Sequence, residues 1–144
     1  MTHLIILAHA PLASALAQVA SHAFADAPEH LTALDVSPNE SAEQVQARLL
    51  RSLAGGENLI LTDAVGATPC NVACRVADGV RIRVVAGVSV PMLWRCLGYA
   101  HEKLPQLVVR ALDGGRNGVC ESDPDRLRGA ALETHHDQNA VGDQ

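Results

Sequence analysis

Four short runs of Leu and β-branched residues recur along the chain, at 3–8 (HLIILA), 31–36 (LTALDV), 58–63 (NLILTD) and 82–87 (IRVVAG). Their starts lie 24–28 residues apart, and the stretches between them follow a helical period. In 11–24, Leu12, Leu16, Val19 and Ala23 fall on one stripe. In 40–53, Ala42, Val45, Leu49 and Leu53 do the same, opposite Glu40, Glu43, Arg48 and Arg51. Asn39 is the predicted N-cap of this second helix, and Gly55-Gly56 its stop. A third helix is predicted to start at Pro69 with Thr68 as its cap, because proline suits the first helical position. A fourth is predicted from Pro91 to at least Lys103, resuming after Pro105 through Leu112. Gly114-Gly115-Arg116-Asn117-Gly118 reads as a turn, and Val119-Cys120-Glu121 as a last short strand.

Strands alternating with helices at this spacing predict right-handed βαβ units and a parallel sheet. The fold class expected is α/β, doubly wound, with the flavodoxin-like strand order 2-1-3-4. The first and third runs are nearly all apolar, as interior strands covered on both faces should be. From Ser122 onward the chain turns polar, with Asp-Pro-Asp, His135-His136 and no strong apolar stripe beyond Leu127, Ala130, Ala131 and Leu132. Residues 1–121 are therefore read as one domain, and 122–144 as a polar, disordered tail.

Composition narrows the function classes. The 144 residues are 48% hydrophobic but include only three aromatics, Phe24, Trp94 and Tyr99. The core must be built from Ala, Leu and Val, and a base-stacking nucleic-acid module is disfavoured. A net charge of -5 argues against a phosphate-backbone binder, so no nucleic-acid partner is expected. No apolar run reaches the ~18–20 residues that span a bilayer. The apolar N-terminus has no Lys or Arg ahead of it and is interrupted by His9 and Pro11, which reads as a strand rather than a signal peptide. The four cysteines, 70, 74, 96 and 120, sit in apolar segments of a core-rich chain. A reduced, cytoplasmic protein is the expectation.

In a doubly wound sheet, ligands bind beyond the carboxyl ends of the strands where strand order reverses, here between strands 1 and 3. The residue just past the first run is His9, and the residue ending the third is Asp63. A neutral imidazole is nucleophilic through the nitrogen that lacks a proton. A carboxylate that accepts the proton-bearing nitrogen fixes the tautomer and steadies the charge that develops on the ring. The loop after Asp63 runs Ala64-Val65-Gly66-Ala67-Thr68-Pro69-Cys70-Asn71 into a helix. Helix N-termini offer free N–H groups and a positive dipole end to a phosphate. Gly66 would permit close backbone approach, and Thr68 could either cap the helix or donate to a phosphoryl oxygen.

Other constellations point to less. Cys70 and Cys74 are four apart on one helix face but lack a second ligand pair, so no metal site is expected. Ser14 lacks a Gly-x-Ser-x-Gly elbow, and neither a dinucleotide fingerprint nor a Walker loop is present. A receiver domain phosphorylated on Asp63 would need an acidic pair where the chain reads Ala8-His9-Ala10.

Taken together, the strand ending in His9, the Asp63-x-x-Gly-x-Thr-Pro-x-Asn71 loop and the segment from Val85 to Leu93 (VAGVSVPML) resemble the mannose-type IIA component of the bacterial phosphoenolpyruvate-dependent sugar phosphotransferase system. The resemblance extends from residue 1 to about 121. It implies that His9 accepts a phosphoryl group from the phosphohistidine of the carrier protein HPr and passes it to a IIB partner, without a cofactor. It also implies that Asp63 orients His9 and that Gly66 and Thr68 lie at the phosphate, Thr68 where the family usually has serine. A homodimer is implied as well, its parallel sheet completed by a swapped antiparallel strand for which 119–121 is the candidate. The chain departs from the family in reading Gly66-Ala67 for Gly-Gly and Ala10-Pro11 after the histidine. Two other readings stay open: a regulatory sensor on the same fold, gated by the phosphorylation of His9, and a small-molecule or metal-binding module using His9, Asp63 and Cys70.

Overall fold

The structure is a computed structural model and describes residues 1–126. Leu127, Ala130, Ala131, Leu132 and the His135-His136 pair lie outside the described residues, as does most of the segment read as a disordered tail. Ten elements follow in order: β1 (His3–His9), α1 (Leu12–Ala23), α2 (Ala27–His30), β2 (Leu31–Val36), α3 (Ala42–Ser52), β3 (Asn58–Thr62), α4 (Thr68–Val76), β4 (Ile82–Ala86), α5 (Val90–Gly98) and α6 (Leu104–Asn117). The four strands form one parallel sheet in the order β2-β1-β3-β4, the expected order. No helix among the described residues is long and apolar enough to cross a membrane.

Strand alternation divides the interior into two layers. Leu4, Ile6 and Ala8 of β1 and Leu59 and Leu61 of β3 face α1, α5 and α6. Ile5 and Leu7 of β1 and Ile60 of β3 face α3 and α4. Both central strands are therefore buried on both faces, and each such Leu or Ile contributes on the order of 1.5–3 kcal/mol. That burial fixes the register, so the polar residues at the strand tips are set by the packing behind them.

The helices depart from expectation in ways that packing explains. The buried stripe of α1 is Ala13, Leu16 and Ala20 rather than Leu12, Leu16, Val19 and Ala23; Leu12 and Ala23 are exposed. Small alanines on the inward face bring α1 close to the sheet. Helix α3 begins at Ser41, not Asn39: the Ser41 hydroxyl accepts from the Gln44 N–H at 3.2 Å, and the Gln44 side chain accepts from the Ser41 N–H at 2.9 Å. This reciprocal capping box satisfies two donors where Asn39 would satisfy one. The stripe Val45 and Leu49, with Ala42 and Leu53 partly buried, is as expected. Helix α2 escaped the pattern reading because four residues are too few to show a period.

The expected fourth helix is two helices. Helix α5 stops at Gly98, and α6 restarts at Leu104 with Pro105 in its first turn. The Gly114-Gly115 stretch is no turn but helix interior. A Cβ on Gly114 would lie 2.8 Å from Arg95 Cβ and 3.1 Å from the Pro91 carbonyl, and one on Gly118 2.7 Å from Pro91 Cβ. These glycines let α5 and α6 touch, which outweighs the ~1 kcal/mol loss of helix propensity per glycine. Val119, Cys120 and Glu121 form no strand within the single chain described. Their pairing with a second copy would involve a chain beyond this one.

Candidate functional site

The site is built at the carboxyl edge of the sheet, where β1 and β3 run side by side and their connections leave on opposite faces. His9 is the last residue of β1, and Asp63 is the first residue past β3. The sequence reading had these reversed in detail, with His9 beyond its strand and Asp63 within its own. The structure brings the two together. His9 Nδ1 donates to Asp63 Oδ2 at 2.6 Å, and the His9 backbone N–H donates to the same oxygen at 3.0 Å. The other carboxylate oxygen, Oδ1, accepts from the Ala64 N–H at 2.9 Å.

Partial burial alone would raise the pKa of Asp63, but the hydrogen bonds from the His9 backbone, its ring and Ala64 outweigh it and hold the carboxyl below the usual range. An ionised carboxylate only accepts, so the proton on the His9 ring sits on Nδ1. In the neutral ring Nε2 is then the nitrogen without a proton, and it has no hydrogen-bond partner among the described residues. The His9 side chain is 56% exposed against 14% for Asp63. The histidine is the exposed member of the pair, and the carboxylate bonded to its ring is mostly covered.

The loop from Asp63 is held on several sides. Gly66 takes φ +85°, a left-handed conformation with no neighbouring atom within 4 Å of where a Cβ would sit. Its glycine answers the backbone conformation, not a lack of space. The Asn71 side chain donates to the Gly66 carbonyl at 3.1 Å, tying the loop to the helix it feeds. The β4–α5 loop is bonded alongside, through Gly87 N–H to the Asp63 carbonyl at 3.1 Å and Val88 N–H to the Thr62 carbonyl at 2.9 Å.

Thr68 is exposed and is the first residue of α4; Ala67 is the N-cap, and no side chain caps this helix. Thr68 therefore does not cap, one of the two roles left open for it. The other long helices that start at this edge are closed: α3 by its capping box, α5 by the Ser89 hydroxyl accepting from Met92 N–H at 3.3 Å, and α1 by Asp35. Among the described residues and the long helices that start at this edge, α4, beside the histidine's carboxylate, is the one whose N-terminal N–H groups no side chain occupies.

Asp35 was not singled out in the sequence. It lies one residue before the end of β2, and its Oδ1 accepts from Ser14 N–H at 3.0 Å and its Oδ2 from the Ser14 hydroxyl at 2.6 Å. The signal for it was the one that marked His9 and Asp63, a polar residue at the carboxyl end of an apolar strand. All four cysteines are free thiols; Cys70 is buried at the start of α4 and Cys74 is exposed. No group of three or more His, Cys, Asp or Glu side chains gathers as a metal site among the described residues.

The comparison with known proteins decides the family. The model of the EIIA-man family, described as the PTS system fructose IIA component, matches residues 3–136. The chain belongs to the EIIA-man family. It is a IIA-type component of the phosphotransferase system. Solved structures agree on the fold. A phosphotransferase system component EIIA from Streptococcus agalactiae is 24% identical, with a TM-score of 0.77 over 84% of this chain and 97% of the other. The mannose/sorbose-specific IIA subunit from Enterococcus faecalis is 25% identical, with a TM-score of 0.74 over 85% of this chain and 95% of the other. A IIA protein associated with the fucose utilization operon of Streptococcus pneumoniae is 21% identical, with a TM-score of 0.66 over 83% of this chain and 92% of the other. No curated protein matches the sequence.

Proposed function

We propose that this EIIA-man chain is a phosphoryl carrier in which His9 accepts the phosphoryl group of phospho-HPr and passes it to a IIB partner. The observation that carries the reading is the 2.6 Å bond from His9 Nδ1 to Asp63, which leaves Nε2 as the exposed nucleophile. In the step proposed, the Nε2 lone pair forms a bond to phosphorus as the donor histidine's P–N bond breaks, and the donor nitrogen keeps that electron pair. The His9 ring becomes positively charged, its Nδ1 proton stays in place, and Asp63 faces the new charge. One P–N bond replaces another of similar energy, so the step is reversible and asks mainly for alignment and stabilisation of the phosphoryl oxygens. Those oxygens are assigned to the open N-terminus of α4, with the Gly66 backbone and the Thr68 hydroxyl beside them.

An exposed histidine on a surface suits exchange between two proteins, since the donor ring must reach it. The protein is placed in the cytoplasm, where phospho-HPr would be met, and acts as a homodimer with residues 119–121 as the exchanged strand. The domain is taken as 1–121, with 122–144 outside it.

The reading is tested by mixing the protein with phosphoenolpyruvate, enzyme I and HPr and following intact mass. An acid-labile gain of one phosphoryl group that is lost in His9→Ala is the expected result. A wild-type chain that stays unlabelled while HPr is fully charged would refute the carrier role.

A further inference from the structure

We propose that Asp35 is a positioning residue for phosphoryl transfer at His9, acting from β2 through Ser14 to fix the segment that leaves β1. The proposal rests on the carrier reading for its kinetic consequence, though not for its geometry.

Helix α1 starts three residues after His9 and has no cap of its own: its N-cap is Pro11, which offers no side-chain acceptor. Asp35 supplies the cap from another strand, 21 positions away in sequence, by taking both the N–H and the hydroxyl of Ser14. The Ser14 hydroxyl also lies 3.1 Å from the Pro11 carbonyl, which accepts from Ala15 N–H at 3.0 Å. Between these points the Ala10 N–H donates to the Val36 carbonyl at 2.9 Å. The backbone from His9 to Ser14 is thus held to β2 at one end by Val36 and at the other by Asp35.

Asp35 is itself fixed. Its carbonyl accepts from Arg48 Nη1 at 2.8 Å, and the same nitrogen bridges to the Glu40 carboxylate at 2.8 Å. Glu40 in turn accepts from the Ser37 N–H at 3.0 Å, at the end of β2.

The arrangement is two-sided. On the β3 side, Asp63 makes one bond to the His9 ring and one to its backbone. On the β2 side, Asp35 makes two bonds that fix where the chain goes after His9. Asp63 sets which nitrogen carries the proton; the direction in which Nε2 points also depends on where the His9 backbone sits. Alignment supplies most of the catalysis in a reaction of this kind, so a shift of a fraction of an ångström there acts on rate. The carboxylate at the N-terminus of α1 also places negative charge on that helix end, leaving α4 as the end open to an anion.

The test uses the full chain, comparing Asp35→Ala, Asp35→Asn and Ser14→Ala with wild type. The first readout is the rate of phosphoryl acceptance at saturating phospho-HPr and the donor concentration that gives half of it. The second is the pair of ¹⁵N shifts of His9 Nδ1 and Nε2, which needs no donor. Asp35→Ala is expected to lower the saturated rate roughly tenfold, with the half-saturating concentration unchanged. Its ring ¹⁵N shifts should move from the wild-type values as the His9 backbone shifts and the Nδ1–Asp63 bond changes length, with Nδ1 still carrying the proton. Asp35→Asn keeps an acceptor for the Ser14 N–H and should recover most of both readouts. Ser14→Ala removes only the hydroxyl and should move both in the same direction by less.

An unchanged saturated rate with unchanged ring shifts in folded Asp35→Ala overturns the proposal; should that chain not fold, the same result in Ser14→Ala does so. If the wild type accepts no phosphoryl group, the carrier reading fails separately. The ring shifts then decide the positioning role alone, unchanged shifts in the variants overturning it.

Discussion

A single oxygen of Asp63, Oδ2, accepts two hydrogen bonds from His9, one from the ring at 2.6 Å and one from the backbone at 3.0 Å. The carboxylate thus fixes both the ring and the main chain that carries it. A loop aspartate that bonded the ring alone would leave the histidine free to swing with its backbone.

Replacing Asp63 by Asn should therefore separate fold from function. One amide oxygen cannot serve both the two His9 donors and the Ala64 N–H that the two carboxylate oxygens share between them, and an amide nitrogen turned toward the ring favours the tautomer with Nδ1 bare. Phosphoryl acceptance should slow by ~10²–10⁴-fold, by analogy with other imidazoles that lose an orienting carboxylate. The circular dichroism spectrum and the unfolding midpoint should change little. Stopped transfer kinetics and urea melts on the same preparation check both halves.

Stability should fall as the medium is acidified, in two windows. The His3 imidazole is held below its usual 6.5 by burial and, to a lesser degree, by neighbouring His30, while Thr32 Oγ1 lies 2.8 Å from its Nε2. A base with a lowered folded pKa binds its proton more readily when unfolded, so stability begins to drop below about pH 6.5 and continues to the folded pKa. Asp63 acts in the same direction lower down: its depressed pKa adds stability above about pH 4 that is lost as protonation proceeds through the folded value. Urea titrations at pH 7.5, 5.5, 4.0 and 2.5 measure both windows, and His3→Gln should flatten the upper one alone.

Gly114→Ala should destabilise the protein even though alanine is the better helix former. The new methyl would meet Arg95 Cβ at 2.8 Å, and the overpacking is expected to cost ~1–3 kcal/mol. Gly55→Ala, where nothing lies within 4 Å and φ is ordinary, should stay within ~0.5 kcal/mol of wild type. Equal unfolding midpoints for the two variants would remove the close approach of α5 and α6 as the reason for the glycines.

Gly66→Ala tests the loop beside His9. The position has room for a methyl but a φ of +85°, so the cost is conformational, ~1–2 kcal/mol if the loop is kept. The chain can avoid that cost by moving the loop, in which case stability changes less and phosphoryl acceptance drops more. Both quantities measured on one variant tell which occurs.

Much of this was legible because strong physical rules act locally. The apolar runs at 3–8 and 58–63 are buried on both faces, so they had to be central strands, and a polar residue at the tip of each had to meet the other. Those tips marked His9 and Asp63 as a candidate pair, to which the loop through Gly66 and Thr68 and the family resemblance added. The break between α5 and α6 did not, because Gly114 and Gly118 report a distance to Pro91 and Arg95 that no window of sequence contains. The α1 stripe was misplaced by one position because an Ala-rich helix offers several faces of nearly equal hydrophobicity. Asp35 escaped because its partner Ser14 lies 21 residues away on a different element. Asn39 satisfies the single-residue preference for an N-cap, whereas the true start is marked by a pair, Ser41-x-x-Gln44.

The central claim is that Asp63 leaves Nε2, and not Nδ1, as the nitrogen that takes the phosphoryl group. The most direct measurement is NMR of the uniformly ¹⁵N-labelled protein after phosphorylation by phospho-HPr, reading which His9 nitrogen couples to phosphorus. The account predicts phosphorus on Nε2, with the Nδ1 proton still present and hydrogen-bonded. Phosphorus on Nδ1, or on a residue other than His9, would contradict it.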